Sequence, residues 1–322
     1  MAGRPRKAPT PAGQDDFNYG GQAVIEGVMM RGPEVMATAV RRPDGSIICQ
    51  VDPAIPPSRR YPFLGWPIIR GAVSLYDSVA LGLKALVFST NMAAEAEGEK
   101  VTAGEMSLTM LLGLAIAIGL FIIAPTVLIG YARRFLPNRS IVFNLVEGLV
   151  RLAIFLGYLA AITRMEDIQR VFAYHGAEHQ VILAYEASPD HTVTVEAARP
   201  LPTLHPRCGT SFLLFVVVVS IVLFSFFGWP SLWARIAIRL ALLPVVAGLS
   251  YEIIRASGRS RSPLLAAAIA PGLWLQRMTT RRPDDGQLEV AMAALRGART
   301  GVGFEIPAQP SGATAPPDSP PH

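Results

Sequence analysis

Ser107-Leu-Thr-Met-Leu-Leu-Gly-Leu-Ala-Ile-Ala-Ile-Gly-Leu-Phe-Ile-Ile-Ala-Pro-Thr-Val-Leu-Ile-Gly-Tyr131 is 25 residues long and carries no charge. As a helix it rises roughly 37 Å, enough to cross a hydrocarbon core of about 30 Å. Pro125 is a kink point within it. Ser211–Gly228 is also uncharged and almost wholly apolar. Ile141–Ile162 is apolar apart from Asn144, Glu147 and Arg151, and Ser231–Ile254 apart from Arg235, Arg239 and Glu252. These four runs predict a mainly α-helical polytopic membrane bundle. The short Gly228-Trp-Pro-Ser231 link folds the last two into a helical hairpin.

Two further apolar runs fit less well. Gly71–Ser89 contains Asp77 and Lys84. An amphipathic helix lying on the membrane is the first reading, and a fifth span the alternative. Pro263–Leu275 is 13 residues long, too short to span, so it reads as re-entrant or interfacial.

Outside the spans, residues 18–66 read as a small β-rich unit. Met36–Val40 and Ser46–Val51 are strand-like, and Asp44-Gly45 between them signals a hairpin turn. The chain thus divides into a disordered tail (1–17), the β unit (18–66), the amphipathic helix with an acidic linker (67–106), and two spans (107–163). A long loop (164–210), the hairpin (211–255), interfacial and C-terminal helices (256–300) and a second disordered tail (301–322) follow.

The 322 residues carry a net charge of +5, and only 16% of them are charged. No base-stacking or helix-turn-helix pattern accompanies the arginines, so the partner they imply is the anionic lipid bilayer rather than nucleic acid. Protein partners are not readable. Two cysteines far apart, Cys49 and Cys208, argue for a reducing compartment. The basic N-terminus lacks the apolar core of a signal peptide. Basic flanks before the first span and after the last place both termini, and the 164–210 loop, in the cytoplasm of a bacterial-type inner membrane. Arg133, Arg134 and Arg139 lie in the opposite loop and oppose this assignment.

The long loop carries the chemistry. Four of the five histidines fall between His175 and His205. Among them His175-Gly-Ala-Glu178-His179 is an H-x-x-E-H pattern. On a helix, His175 and His179 project one turn apart from one face. That pair can ligate one metal ion, and Glu178 can act as base for the ion's water. Zinc accepts nitrogen, sulfur and carboxylate, so Cys208, His205 or Glu252 can complete the site, Glu252 as third ligand or as hydrogen-bonding support. The plain alternative is an interfacial pair of hydrogen-bonded histidines and a buried small thiol. A metal-free variant would use Cys208 as nucleophile and a histidine as base. Within the bundle, Glu147 should contact Arg239 or its i+4 neighbour Arg151, because an unpaired charge there is costly. A packing salt bridge outweighs a transport pathway as its meaning.

Five ordered blocks are similar to the YqhQ family, domain of unknown function 1385. They are Gly20–Pro33, Tyr174–His179, His205-Pro-Arg-Cys-Gly-Thr-Ser211, Tyr251-Glu252, and Pro271–Gln276 with Thr279-Thr280. The resemblance runs from about Asn18 to Arg296. Gln180 stands where the family motif has lysine. The resemblance implies a bacterial integral-membrane protein of predicted metal-dependent activity. His175, Glu178, His179, His205 and Cys208 would be its site residues, and the block bearing Glu26 and Arg31 would face the substrate. The expectation is therefore a membrane metal enzyme, hydrolytic in type, with zinc as the metal. A non-catalytic scaffold with a structural metal, or a small-solute transporter around Glu147, are the alternatives.

Overall fold

The computed structural model describes residues 19–94, 103–135, 139–257 and 263–308. The tails 1–17 and 309–322 and the linker 95–102 lie outside the described residues.

Strands β1 (Gly20–Val24), β2 (Gly27–Arg31), β3 (Val35–Arg41) and β4 (Ile47–Pro53) form an antiparallel meander, and β5 (Phe304–Ile306) pairs with β4 at its edge. The β3–β4 hairpin turns at Gly45, whose φ of +87° favours glycine. The glycine-rich Gly20–Pro33 stretch supplies two strands of its own. The expectation of no order after Gly301 is corrected at Phe304–Ile306. That segment is only three residues long, too short to signal a strand by itself, and the edge of β4 makes it one.

The helices are α1 (Pro57–Arg60), α2 (Ile69–Ala93), α3 (Ala103–Ile118), α4 (Ala124–Ala132), α5 (Ser140–Ile162) and α6 (Glu166–Ala187). After them come α7 (Val195–Ala198), α8 (Gly209–Ser225), α9 (Leu232–Ser257), α10 (Pro263–Thr279) and α11 (Asp285–Thr300). A π turn, Gly119–Ile123, joins α3 to α4 just before Pro125. Gly228, at φ +65°, turns the chain between α8 and α9. Helix α10 runs four residues beyond the apolar stretch, to Thr279, and packs on α8 and α9.

The sheet has helices on both faces. Ala37, Ala39 and Cys49 face a core shared with Tyr174, Ala177 and Val181 of α6 and with Leu288, Ala291, Ala294 and Ala298 of α11. Small residues let α11 lie close, and a Cβ at Gly297 would stand 2.6 Å from Cys49 Sγ. Val24, Met29 and Met36 face a second cluster with Ala85 of α2.

Among the described residues, four helical stretches are fit by length and composition to cross a membrane: Ile69–Ala93, Ser107–Ala132, Ser140–Ile162 and Leu232–Ala256. This set differs from the expected four in taking α2 and leaving out α8, whose 17 residues are just short. Composition does not settle α2. Its middle is tied to the sheet by Arg31–Asp77 and by Lys84 Nζ–Asp52 Oδ1 at 2.7 Å.

Candidate metal centre

Helix α6 begins at Glu166 and Asp167, acids that complement the helix dipole, and runs unbroken through the H-x-x-E-H stretch. His175 and His179 therefore share a face, their ring centroids 4.4 Å apart. Cys208 comes from a different element: it is the N-cap of α8, its Sγ accepting from Thr210 N–H at 3.4 Å. The His175, His179 and Cys208 donor atoms lie within 4.8 Å of one another. His175 Nε2 to Cys208 Sγ is 3.2 Å. Nitrogen and sulfur donors on one tetrahedral zinc stand about 3.5 Å apart, so the pair fits with a small relaxation.

The orientation of the rings is the stronger sign. His175 Nδ1 lies 2.8 Å from the Thr279 carbonyl oxygen, and His179 Nδ1 lies 2.6 Å from that of Thr203. A carbonyl only accepts, so each Nδ1 carries a proton, and in the neutral ring Nε2 is then the nitrogen with the lone pair. Metal-bound histidines are held in this way by their second nitrogen. The sulfur caps a helix whose dipole and N–H favour a negative ligand atom.

Gly176 sets the register beneath. A Cβ there would meet the Arg281 carbonyl oxygen at 2.0 Å, so only glycine admits the close pass of the 279–281 backbone. Gln276 clamps the loop from the other side, its Oε1 accepting from His205 N–H and its Nε2 donating to His205 O, both at 2.9 Å. Sequence reasoning gave no role to Gln276, Thr279, Thr203, Gly176 or Gly21. All of these but Thr203 stand in the blocks similar to the YqhQ family, which was the available signal.

His205 is close but differently set. Its ring centroid is 5.5 Å from that of His179, yet its Nδ1 accepts from Arg207 N–H at 3.3 Å. Burial first, then His179 and Arg207, push it down to about 3, so it stays neutral. It lies outside the group at ligand distance.

Glu178 is also outside that group and is buried, 4% exposed. Its Oε1 accepts from Gly21 N–H at 2.8 Å, whereas Oε2 has no hydrogen-bond partner. Burial pushes its carboxyl above the usual range, with His175 and the Gly21 N–H pulling the other way. The first block does fold onto α6, but through Gly21. Glu26 is held by Arg170 and, at 3.3 Å, by the Tyr174 hydroxyl, and Arg31 is held by Asp77. These pairs dock β1–β2 to α6 and α2. Glu252 is likewise not brought to the histidines. Arg70 of α2 takes both its carboxylate oxygens, Nε to Oε1 at 2.6 Å. Arg70, just before the Gly71–Ser89 stretch, is the nearer partner.

Deep in the bundle, Glu147 accepts from Arg239 Nη2 at 2.6 Å, from Arg151 Nη2 at 3.2 Å and from the Thr126 hydroxyl at 2.8 Å. Both expected partners meet the one carboxylate.

Fold and site together define a polytopic, membrane-type helical protein with an α/β body and a His-His-Cys constellation where α6 meets the start of α8. The chain belongs to the family described as "Protein of unknown function (DUF1385)", which matches residues 66–300. It is 36% identical over 293 residues to "Uncharacterized protein YqhQ" of Bacillus subtilis (strain 168), covering 85% of this chain and 90% of that protein. No solved structure matches it.

Proposed function

We propose that this protein is a metal-dependent membrane enzyme of hydrolytic type, with its site at the cytoplasmic surface of the bacterial inner membrane and zinc as its metal. One observation carries the reading. Two histidines one helical turn apart are each anchored at Nδ1 by a backbone carbonyl, leaving both Nε2 lone pairs beside a helix-capping sulfur. His175, His179 and Cys208 would hold the ion, and three protein ligands is the number typical of catalytic zinc. Zinc bound there supplies Lewis acidity toward a carbonyl or phosphoryl oxygen. Glu178 would take up a proton at its unpartnered Oε2, while Gly21 fixes Oε1. Arginine flanks around the body favour the cytoplasmic side.

A second reading has an observation of its own. His175, His179, His205 and Cys208 are all between 2% and 9% exposed. Such burial suits a structural site closed by His205 as fourth ligand, locking the 203–208 loop to α6.

Elemental analysis of the purified protein beside a His175→Ala/His179→Ala double variant tests the metal. About one transition metal per chain is expected, lost in the double variant. A metal-free wild type, prepared without chelator, overturns both readings. Cobalt substitution then separates them. In an open site the spectrum of the cobalt protein changes on adding azide and is unaltered by His205→Ala. In a closed site azide does nothing and His205→Ala shifts the bands.

A further inference from the structure

Tyr61, Phe63 and Trp66 are exposed and crowd the short segment between β4 and α2. That segment is fixed against the last turns of α9. Ile68 stands at φ +69°, a left-handed conformation that is costly for a β-branched residue. Its carbonyl passes so near α9 that a Cβ at Gly248 would meet the oxygen at 2.4 Å. Arg70 then grips both oxygens of Glu252. The segment and the helix end are thus held rigidly together.

A cavity of about 570 Å³ opens beside this junction, with Arg31, Ser58, Ser74, Ser78, Tyr251 and Arg255 among its lining. The fold leaves donors here to spare. Arg70 occupies Glu252, and the Arg255 guanidinium makes no hydrogen bond or ion pair among the described residues. Arg31 gives only Nη2 to Asp77, the acid in the lining. The Ser58, Ser74 and Ser78 hydroxyls have no hydrogen-bond partner among the described residues. Such a set matches an oxyanion, which only accepts, and hydrogen bonds to an ionised acceptor are the strong ones.

The setting narrows the source of the anion. Helix α9 is long and apolar enough to cross a membrane. Its last turns, with Tyr251 and Arg255, then fall where hydrocarbon gives way to headgroups, and exposed aromatics like those beside them belong to that level. Anionic lipids are what arginines meet there. We propose that this cavity holds the phosphodiester of an anionic phospholipid headgroup. Arg255 is its ion pair, Arg31 and the serines are its hydrogen-bond donors, and Phe63 and Trp66 border its acyl chains. The inference is independent of the histidine site and of any metal there.

The test uses the full chain, delipidated in maltoside micelles, which contain no phosphate. Palmitoyl-oleoyl-phosphatidylglycerol, inorganic phosphate or the phosphate-free palmitoyl-oleoyl-glycerol is titrated while the thermal midpoint is followed. A saturable rise is expected with phosphatidylglycerol only. Arg255→Gln should need roughly tenfold more lipid for half the rise, the loss of one charge-assisted contact. Ser74→Phe, which fills the cavity and keeps every arginine, should weaken binding similarly and covers the case of an Arg255 variant that does not fold. No rise with phosphatidylglycerol, an equal rise with inorganic phosphate or with the diacylglycerol, or a rise unchanged in either folded variant overturns the proposal.

Discussion

The Glu178 carboxyl is the residue on which the chemical reading turns, and its pH behaviour is checkable without a substrate. Burial raises its folded-state value above the unfolded value of about 4.3. Between those two values the folded protein binds more protons than the unfolded one. Stability therefore falls as pH rises through that window, and the full penalty is present above it. Glu178→Gln removes the ionisation. For metal-free protein, the thermal midpoint of wild type should drop more between pH 4 and pH 7 than that of the variant, leaving the variant the more stable at pH 7. Parallel profiles would mean that the carboxyl ionises inside the site without cost. The residues of this site were unevenly legible. His175, Glu178 and His179 stand at helical spacing, and Cys208 announces itself by type. Thr279 and Thr203 contribute only carbonyl oxygens, which any residue has, so nothing in their side chains marks them. Glu252 misled because the same acid that suits a metal also suits Arg70.

At the scale of elements, α11 is inconspicuous in sequence and widely connected in space. It packs on β2, β3, β4 and α6. Its start is well specified: Asp284 accepts from Gln287 N–H at 2.7 Å, and the Gln287 side chain accepts in return from Asp284 N–H at 3.1 Å. This capping box also sets where the 279–283 backbone leaves the histidines. Asp284→Ala should cost about 1 kcal/mol. Because Thr279 O anchors His175, the same variant should loosen metal retention against a chelator, measured as a faster rate of zinc loss. An unchanged rate with a lowered melting temperature would confine the cap to stability. The β3–β4 hairpin was readable from its turn, as local signals are. Strand β5 and the role of α2 were not, since both depend on a sheet assembled from distant segments. The periodicity of α2 allows a span, and only its pairs to Asp52 and Arg31 show what its polar face meets.

The whole molecule is constrained by a count of crossings. Three stretches of chain build one α/β body: 20–53 in the sheet, 166–198 in α6 and α7, and 285–306 in α11 and β5. A single folded body lies on one side of a membrane, so an even number of crossings separates each stretch from the next. Between the first and second lie α2, the α3–α4 helix and α5; two crossings satisfy the rule and three break it. We predict that helix α2, joined to the sheet by charged pairs, is the one that stays out, its exposed Leu75, Tyr76, Val79 and Leu83 then meeting the lipid surface. Between the second and third lie α8, α9 and α10. The α8–α9 hairpin gives two, and α8 with its following turn residues is just long enough at about 1.5 Å per residue. Single cysteines at Ile55, Asp190 and Val302 should therefore react with a membrane-impermeant maleimide from one common face, and a cysteine at Ser231 from the other. The native thiols, Cys49 and Cys208, are both buried, and burial pushes Cys49 up to about 12, so the background is low. Ile55→Cys and Val302→Cys reacting from opposite faces would put α2 across the membrane and would be incompatible with β5 pairing to β4. Reaction of all three from the inside of the cell would fix the histidine site as cytoplasmic, and reaction from outside would move it, with the same geometry, to the opposite surface.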